Sequence, residues 1–344
     1  MNHAQLKATV QAMSADGKGL LAMDESNPTC NKRFAALGIA QTYEMRRAYR
    51  DLLAGAPGLN RSVAGAILSD ETIRQLTLAG VSFPCALADA GIVPGIKVDA
   101  GTVDLASHPG EKVTQGLDGL RERLAEYVQL GARFAKWRAV IAIGEAMPGQ
   151  ACIAANAHAL ARYAVLCQEA GLVPIAEPEV LMDGAHTLAR CAAVTEAVLH
   201  AVFAQLREQG VLMEGMVLKP NMVLPGLACA QQESAAVIAE ATLACLRRAV
   251  PAAVPAIAFL SGGQSPELAS QRLNAMHAGN GPSLPWALTF SFARAIQQPA
   301  LALWRGLPAN VAPAQRVLVH RADCNRAARL GQYSAVMEST GVKQ

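Results

Sequence analysis

Residues 173–219 have the sequence VPIAEPEVLMDGAHTLARCAAVTEAVLHAVFAQLREQGVLMEGMVLK. The short apolar segments Val173 to Glu177 and Met216 to Lys219 are typical of buried strands, and Thr187 to Glu208 is typical of an amphipathic helix. A strand, a helix and a second strand in this order predict a βαβ unit with two parallel strands.

The same alternation continues along the chain in both directions. The pattern predicts six further strands, at Gly19 to Met23, Ala64 to Leu68, Gly95 to Val98, Phe134 to Arg138, Ala256 to Leu260 and Trp286 to Phe290. It predicts further helices at Tyr43 to Leu53, Gly116 to Leu130, Cys152 to Glu169, Glu233 to Ala249 and Pro266 to Ala278. Eight strand-then-helix units favour an α/β fold of the closed (β/α)8 TIM-barrel type over a doubly wound open sheet, although periodicity alone does not distinguish the two. We expect residues 1–344 to form a single domain, with a short C-terminal tail from about residue 330.

Glycine motifs give the open sheet no support. Asp16-Gly17-Lys18-Gly19 precedes a strand and lacks the third glycine of a dinucleotide-binding turn. Ser261-Gly262-Gly263 does follow a strand, so its backbone N–H groups could hold a phosphate, but it is no Walker motif.

Composition excludes several classes of protein. The 344 residues carry 30 basic and 27 acidic side chains, a formal charge of +3 that is too small to predict a nucleic-acid partner. The chain is 52% hydrophobic and 17% charged, which excludes a disordered chain. The apolar stretch from Ala249 to Leu260 is broken by Pro251 and Pro255, and the N-terminus lacks the apolar run of a signal peptide. We therefore expect a cytoplasmic protein with no membrane partner, whose eight unpaired cysteines stay reduced.

Charged residues cluster where the predicted strands end. These segments are Asp24-Glu25-Ser26, Lys97-Val98-Asp99, Lys136-Trp137-Arg138, Glu177-Pro178-Glu179, Lys219-Pro220-Asn221, Ser261-Gly262-Gly263, and Ser291 shortly before Arg294. The C-terminal ends of barrel strands form the active site, so these side chains should converge there. A single buried ion pair would be read as structural, but three lysines with several carboxylates indicate chemistry on a carbonyl group, because a lysine among other cations can form a Schiff base. The seven histidines show no paired ligand spacing, which disfavours a metal-assisted reaction. We expect no cofactor.

Eight segments carry a resemblance to a known family. They are GKGLLAMDES (17–26), GIKVDAG (95–101), QGLDGL (115–120), FAKWR (134–138), PIAEPEVL (174–181), LKPNMV (218–223), FLSGGQS (259–265) and PWALTFSFARA (285–295). In this order, from about Gly17 to Tyr333, they resemble class I fructose-1,6-bisphosphate aldolase, the Schiff-base type. The resemblance implies reversible cleavage of fructose 1,6-bisphosphate to dihydroxyacetone phosphate and glyceraldehyde 3-phosphate in glycolysis and gluconeogenesis, without a metal.

The resemblance also implies roles for five catalytic residues. Lys219 would form the imine at carbon 2 of the substrate, and Glu177 would act as the general acid and base. Asp24 would hydrogen-bond the carbon 4 hydroxyl. Lys136 would keep the pKa of the nucleophile low, and Glu179 would set the protonation of its neighbours; alternatively, Glu179 is a structural partner of Lys136.

Phosphate binding is implied at two ends of the site. The carbon 1 phosphate would lie against Arg294, Ser261, Gly262 and Gly263, with Ser291 also assigned to phosphate binding. The carbon 6 phosphate would lie against Thr29, Arg33, Lys97 and Arg138, although Arg33 and Arg138 could instead be solvated surface cations.

Three segments depart from the family pattern. Ser26-Asn27-Pro28-Thr29 stands where STGS is usual, which puts the phosphate contact of Thr29 in question. Phe292-Ala293 replaces Tyr-Gly, which would be costly if the backbone there needs a positive φ. The sequence ends in Gly341-Val342-Lys343-Gln344 without the terminal tyrosine of animal members, which predicts a different or slower protonation step.

Alternative functions remain open from the sequence. Sedoheptulose 1,7-bisphosphate or fructose 1-phosphate could also be substrates. Another Schiff-base lyase or a transaldolase would be expected to lack one phosphate site, and a catalytically silent binding protein would be expected to lose Lys219, Glu177 or Asp24. The family resemblance further implies a homo-oligomer, commonly a tetramer.

Overall fold

Eight parallel strands close into a barrel in the computed structural model, which describes residues 2–278 and 284–340. Each strand pairs with its successor in the chain, and the eighth strand pairs with the first. The barrel strands are β1 (Gly19–Met23), β2 (Val63–Leu68), β3 (Val93–Lys97), β4 (Phe134–Ile141), β5 (Val173–Val180), β6 (Val217–Leu218), β7 (Ala256–Phe259) and β8 (Ala287–Phe292).

Closure of the sheet decides between the two predicted folds. Leu20 of β1 lies opposite Ser291 of β8, and Leu21 lies opposite Phe292. The sheet therefore has no free edge, which confirms the TIM barrel and excludes the open doubly wound sheet.

Two of the predicted strands extend furthest beyond their predicted C-terminal ends. β4 and β5 each continue three residues beyond the predicted ends, to Ile141 and Val180, because they pair with each other along their whole length. Arg138 and Glu177, predicted as the last residues of these strands, therefore lie inside them, and Glu179 lies within β5 rather than after it.

Helices pack around the barrel. They are α1 (His3–Ser14), α2 (Asn27–Ala35), α3 (Tyr43–Ala54), α4 (Asp70–Arg74), α5 (Phe83–Asp89), α6 (Leu120–Gln129), α7 (Gln150–Glu169), α8 (Leu188–Glu208), α9 (Ala235–Ala249), α10 (Pro266–Ala278), α11 (Arg294–Trp304), α12 (Val311–Arg329) and α13 (Val336–Thr340). The sequence pattern predicts six of them to within a few residues and misses, among others, α1 and α12. A two-stranded hairpin, Thr102–Asp104 with Lys112–Thr114, follows β3.

A small apolar cluster fills the interior of the barrel. It contains Leu6, Val10 and Met13 of α1 together with strand residues Leu20, Ala22, Ile67, Phe134, Val173, Ile175, Val217, Ala256 and Ala258. The strand members recur at every second position, because alternate side chains of a strand point to the same face. A Cβ atom at position 95 would lie 2.2 Å from the ring of Phe134, so Gly95 makes room for that ring.

The chain beyond α12 is structured rather than a plain tail. Tyr333 is buried, and residues 336–340 form α13. The expectation about Gly341 to Gln344 lies outside the described residues. Among residues 2–278 and 284–340, no helix combines the length and apolar character needed to cross a bilayer. All eight cysteines carry free thiols, as predicted.

Candidate active site

The alternation of the strands positions the charged residues on top of the apolar interior. Phe134 and Ile175 belong to the inner cluster, so Lys136 and Glu177, two residues further along their strands, point to the same face. Lys219 follows Val217 of the inner cluster by the same step, just beyond β6.

Asp24 joins these residues from the other side of the barrel. It lies two residues after Ala22 of the inner cluster, directly after β1. Together with Lys136, Glu177 and Lys219 it forms what we call the four-charge network. All four residues are at least nine-tenths buried, so their charges interact with little screening by solvent.

Two carboxylates and two ammonium groups alternate within the four-charge network. Lys136 Nζ lies 2.6 Å from Asp24 Oδ2 and 3.1 Å from Glu177 Oε2. The other oxygen of Glu177, Oε1, lies 3.1 Å from Lys219 Nζ. Glu177 therefore stands between the two lysines, and the charges of the network cancel formally.

Opposing effects set the pKa values in the network. Burial by itself raises the pKa of the Asp24 carboxyl, but Lys136 and Lys219 outweigh it and hold that pKa well below its ordinary 3.8. Burial also raises the pKa of Glu177, and the same two lysines bring it below its ordinary 4.5. Burial lowers the pKa of Lys136, but Asp24 and Glu177 raise it above its ordinary value. Both carboxylates are therefore ionised at neutral pH and able to accept a proton.

The low pKa of Asp24 predicts a pH dependence of stability. A carboxyl group whose pKa is depressed by folding contributes stability that is present above its unfolded-state pKa and is lost as the pH falls toward the folded value. With an ordinary pKa of 3.8 for Asp24, this contribution begins to disappear below about pH 4 and costs about 1 kcal/mol at pH 3. In urea unfolding experiments, Asp24→Asn should lose about 1 kcal/mol less than the wild type between pH 6 and pH 3. Equal losses in the two proteins would contradict the depressed pKa, and the exposed Asp104→Asn is the matched control.

Glu179 has a different partner from the one that sequence analysis offered. Lys136 contacts Asp24 and Glu177, whereas Glu179 forms its ion pair with Nε of Arg138. The alternative that Glu179 is a structural partner of Lys136 is therefore wrong. The strand register explains this pairing. Arg138 of β4 lies opposite Glu177 of β5, and Glu179 is the next residue of β5 on the same face.

Lys97 lies beside the four-charge network. It ends β3 in register with Lys136, and its Nζ lies 2.6 Å from Asp99 Oδ1. The positive charge of Lys97 also contributes to the low pKa of Asp24. Asp99, which sequence analysis leaves without a role, in turn accepts a hydrogen bond from the backbone N–H of Arg138 at 3.2 Å.

The departure at Pro28 is compatible with the backbone. Pro28 lies in the first turn of α2, where the missing N–H of proline costs no helical hydrogen bond. The Thr29 hydroxyl lies 3.0 Å from that of Ser26, in an exposed position. Arg33, on the same helix, pairs with Glu25 at 2.5 Å.

Glu25 holds a second arginine that sequence analysis misses. Arg50 of α3 is buried and donates to Glu25 Oε2 at 2.6 Å. Burial raises the pKa of Glu25, but the guanidinium groups of Arg50 and Arg33 bring it below its ordinary value. The only sequence signal for this pair is the position of Glu25 inside the motif that ends β1.

The loop after β7 and the start of α11 lie side by side. Gly262 and Gly263 have φ values of 54° and 88°, a conformation that favours glycine. A Cβ atom on Gly263 would lie 3.3 Å from Nη2 of Arg294, so the guanidinium rests against the bare backbone of this glycine. Ser261, just after β7, and Ser291, in β8, are both buried. The buried Ser291 hydroxyl has no hydrogen-bond partner among the described residues.

Ala293 does not carry the cost that sequence analysis anticipates. Its φ is −104°, outside the left-handed region, so alanine replaces glycine there without that penalty.

A buried arginine supports the glycine loop and is missed by sequence analysis. Arg272 of α10 donates through Nη1 to Gln264 Oε1 at 2.8 Å, and both side chains are buried. Gln264 directly follows Gly263, so this bond ties the loop to the helix layer. The sequence shows Arg272 only as one polar residue of an amphipathic helix.

Comparison with known proteins gives consistent matches over the whole length. The family model described as fructose-bisphosphate aldolase class-I matches residues 5–344. A protein named probable fructose-bisphosphate aldolase class 1 from Xanthomonas campestris is 56% identical over 97% of this chain and 99% of its own length. The cytosolic fructose-bisphosphate aldolase 6 of Arabidopsis thaliana is 51% identical over 96% of this chain and 91% of its own length. The solved structure of fructose-bisphosphate aldolase from Plasmodium falciparum, in complex with TRAP and a small-molecule inhibitor, superposes with a TM-score of 0.95 at 48% identity and covers 96% of both chains.

Proposed function

The chain belongs to the class I fructose-bisphosphate aldolase family, and on this premise we propose that Lys219 cleaves fructose 1,6-bisphosphate through a Schiff base. The observation that carries the proposal is the 3.1 Å distance between Lys219 Nζ and Glu177 Oε1. Both groups are buried on the barrel interior, and a base within hydrogen-bond reach is what a lysine needs to become a neutral nucleophile.

The first half of the proposed reaction forms the imine. Glu177 takes a proton from Lys219, and the free amine attacks the carbon 2 carbonyl of the substrate to give a carbinolamine. The protonated Glu177 then returns its proton to the departing hydroxyl, which leaves as water. Lys136 stays charged throughout because Asp24 and Glu177 hold its pKa high, and it keeps both carboxylates in position.

The second half of the proposed reaction breaks the carbon chain. The imine draws electrons from the bond between carbons 3 and 4, while Glu177 accepts the proton of the carbon 4 hydroxyl and Asp24 accepts a hydrogen bond from that hydroxyl. Glyceraldehyde 3-phosphate leaves, the proton held by Glu177 is returned at carbon 3 of the enamine, and addition of water to the imine releases dihydroxyacetone phosphate and the free Lys219. This reversible reaction would place the enzyme in glycolysis and gluconeogenesis.

Borohydride trapping tests the imine directly. Hydride adds to the carbon–nitrogen double bond and converts it to a stable secondary amine, so protein mixed with fructose 1,6-bisphosphate and reduced should carry one adduct on the peptide containing Lys219. Peptide mass spectrometry identifies the modified residue. An adduct on another lysine, or none with either the bisphosphate or dihydroxyacetone phosphate, would contradict the proposal and favour a catalytically silent relative.

We propose two sites for the phosphates of the substrate. Arg294, the glycine loop at Gly262 and Gly263, and the hydroxyls of Ser261 and Ser291 would hold the carbon 1 phosphate. The proposal is supported by the contact between Arg294 and Gly263 and by the unpartnered Ser291 hydroxyl. The carbon 6 phosphate would be held by Thr29, Arg33, Lys97 and Arg138. Each of these three cations has a carboxylate partner in the substrate-free chain, so the phosphate would share or displace that partner.

Assays with two substrates distinguish the two phosphate sites. Arg294→Ala should raise KM about 10- to 100-fold for both fructose 1,6-bisphosphate and fructose 1-phosphate, because both carry the carbon 1 phosphate and a bond to a charged group is worth about 1.5–3 kcal/mol. Arg33→Ala should raise KM for the bisphosphate alone. Steady-state assays with both sugars give the comparison, with the exposed Arg207→Ala of α8 as the control. If Arg294→Ala affected only the bisphosphate, the assignment of the two ends would be reversed.

Three further properties are proposed from the family. Residues 1–344 would form one domain, since a single barrel accounts for the strands and for the match over residues 5–344. The protein would act in the cytoplasm, as the names of several relatives say of those proteins. It would assemble as a homotetramer, which light scattering of the purified protein measures directly.

A further inference from the structure

Three side chains with metal-binding atoms meet at the C-terminal end of the described chain, away from the barrel interior. They are His320 and Cys324 of α12 and Glu338 of α13, and one ligand atom from each lies within 4.8 Å of the others. We infer that His320, Cys324 and Glu338 form a Zn²⁺ site that fastens α13 to α12. The four-charge network and the phosphate sites share no residue with it.

The geometry suits zinc without rearrangement of the helix. His320 and Cys324 are four residues apart, so both point from the same face of α12. Cys324 Sγ lies 3.6 Å from His320 Nε2. In a tetrahedral site with Zn–S and Zn–N bonds of about 2.3 and 2.0 Å, these two atoms are about 3.5 Å apart. A thiolate, an imidazole and a carboxylate with one open position form a donor set that zinc accepts.

Neighbouring residues hold the carboxylate in place. The Tyr333 hydroxyl donates to Glu338 Oε1 at 2.7 Å, and Arg321 Nη1 donates to the same carboxylate. Hydrogen bonds of this kind to a ligand orient it for a metal. Arg321 Nη1 contacts the second oxygen of Glu338 as well. A carboxylate offers about four lone-pair positions, so these three hydrogen bonds leave about one for a cation.

Zinc binding would exchange the thiol proton of Cys324 for the metal. A cysteine binds a metal as its thiolate, so a Zn–S bond forms at Cys324 while the thiol proton leaves to solvent.

The site would act on stability rather than on catalysis. α12 packs against α10 and α11 in the helix layer. Zinc bound to the folded chain would raise the unfolding temperature, because a ligand that binds only the folded state stabilises it. Turnover should be the same with zinc and after treatment with EDTA, so failure of this site and failure of the proposed imine mechanism are distinguishable.

Zinc titration of the full chain tests the inference. The chain should be stripped with EDTA, dialysed and titrated with ZnCl₂ in competition with a chromophoric chelator; we expect one zinc per chain. Cys324→Ser and His320→Gln should each weaken binding at least about tenfold, the loss that even a supporting residue causes. Cys85→Ser, which removes an exposed thiol, and His200→Gln, which removes a surface imidazole of α8, are the matched controls and should bind as the wild type does.

Two further measurements distinguish the loss of a zinc ligand from poor folding of a variant. Calorimetry in buffers of different ionisation enthalpy should show about one proton released per zinc bound by the wild type at pH 7.5. Co²⁺ should give a thiolate-to-metal absorption band in the wild type and in Glu338→Gln, but not in Cys324→Ser. No stoichiometric binding, binding unchanged by both ligand substitutions, or Co²⁺ binding without the thiolate band would overturn the site.

Discussion

Replacing Lys219 by methionine should leave a folded barrel that no longer cleaves fructose 1,6-bisphosphate. Methionine has a similar length but no amine, so no imine can form, and we expect kcat to fall by about 10⁶-fold, as when a protease loses its covalent nucleophile. A coupled assay of glyceraldehyde 3-phosphate release measures the turnover. Substantial turnover in Lys219→Met would refute the assignment of the nucleophile.

Two controls separate lost chemistry from lost structure. The buried position of Lys219 is compatible with an apolar side chain, so circular dichroism and the unfolding temperature should show a folded protein. Lys112→Met, in the hairpin outside the barrel, removes a half-buried lysine and should keep both turnover and the borohydride adduct.

Glu177→Gln should lower kcat by about 10²- to 10⁴-fold, the usual contribution of a general acid or base. Glutamine keeps the shape of the side chain and can accept a hydrogen bond from Lys219, but it cannot take up and return the proton that dehydration of the carbinolamine requires. KM should change much less than kcat, because phosphate binding uses other residues. Pre-steady-state trapping with borohydride should show slow accumulation of the adduct.

Glu179→Gln is the informative comparison, since Glu179 lies two residues further on the same face of β5. Its partner is Arg138 and it contacts neither lysine of the four-charge network among the described residues. We expect a kcat effect at least about tenfold smaller than that of Glu177→Gln. If the two variants were equally impaired, the proton transfer could not be assigned to Glu177 on the basis of its contact with Lys219.

The sequence pattern was sufficient to predict the strands but not how they close. Alternation of short apolar segments with amphipathic helices depends on residues close together in the chain, which is why Gly19–Met23 and Pro266–Ala278 match their predicted limits. The contact of Leu20 with Ser291 joins opposite ends of the sequence. A local sequence pattern does not reveal such a contact, so only the closure of the barrel excludes the open sheet.

The sequence predicted which residues form the candidate site better than it predicted their ion-pair partners. Motifs at the strand ends placed Asp24, Lys136, Glu177 and Lys219 together, and the structure brings them into one buried network. The partner of Glu179 and the pair of Glu25 with Arg50 were not predictable, because each depends on which side chains of neighbouring elements come within reach.

The proposed zinc ligands, which lie outside the active site, show the same difference between what the local sequence predicts and what only the folded chain brings together. His320 and Cys324 are one helical turn apart and could have been recognised as a pair once α12 was identified. Glu338 joins them only because α13 folds back against α12.

The sequence by itself determined the eight barrel strands and their order, six of the helices, and the residues that could perform chemistry on a carbonyl group. These follow from short apolar runs, from the amphipathic period of a helix and from motifs a few residues long. The tertiary structure alone decided that the sheet closes, that Glu177 lies between Lys136 and Lys219, and that Arg138 forms its ion pair with Glu179. The physical reason is that ion pairs and strand registers depend on distances of a few ångströms between residues far apart in the chain, and only the packed barrel sets those distances.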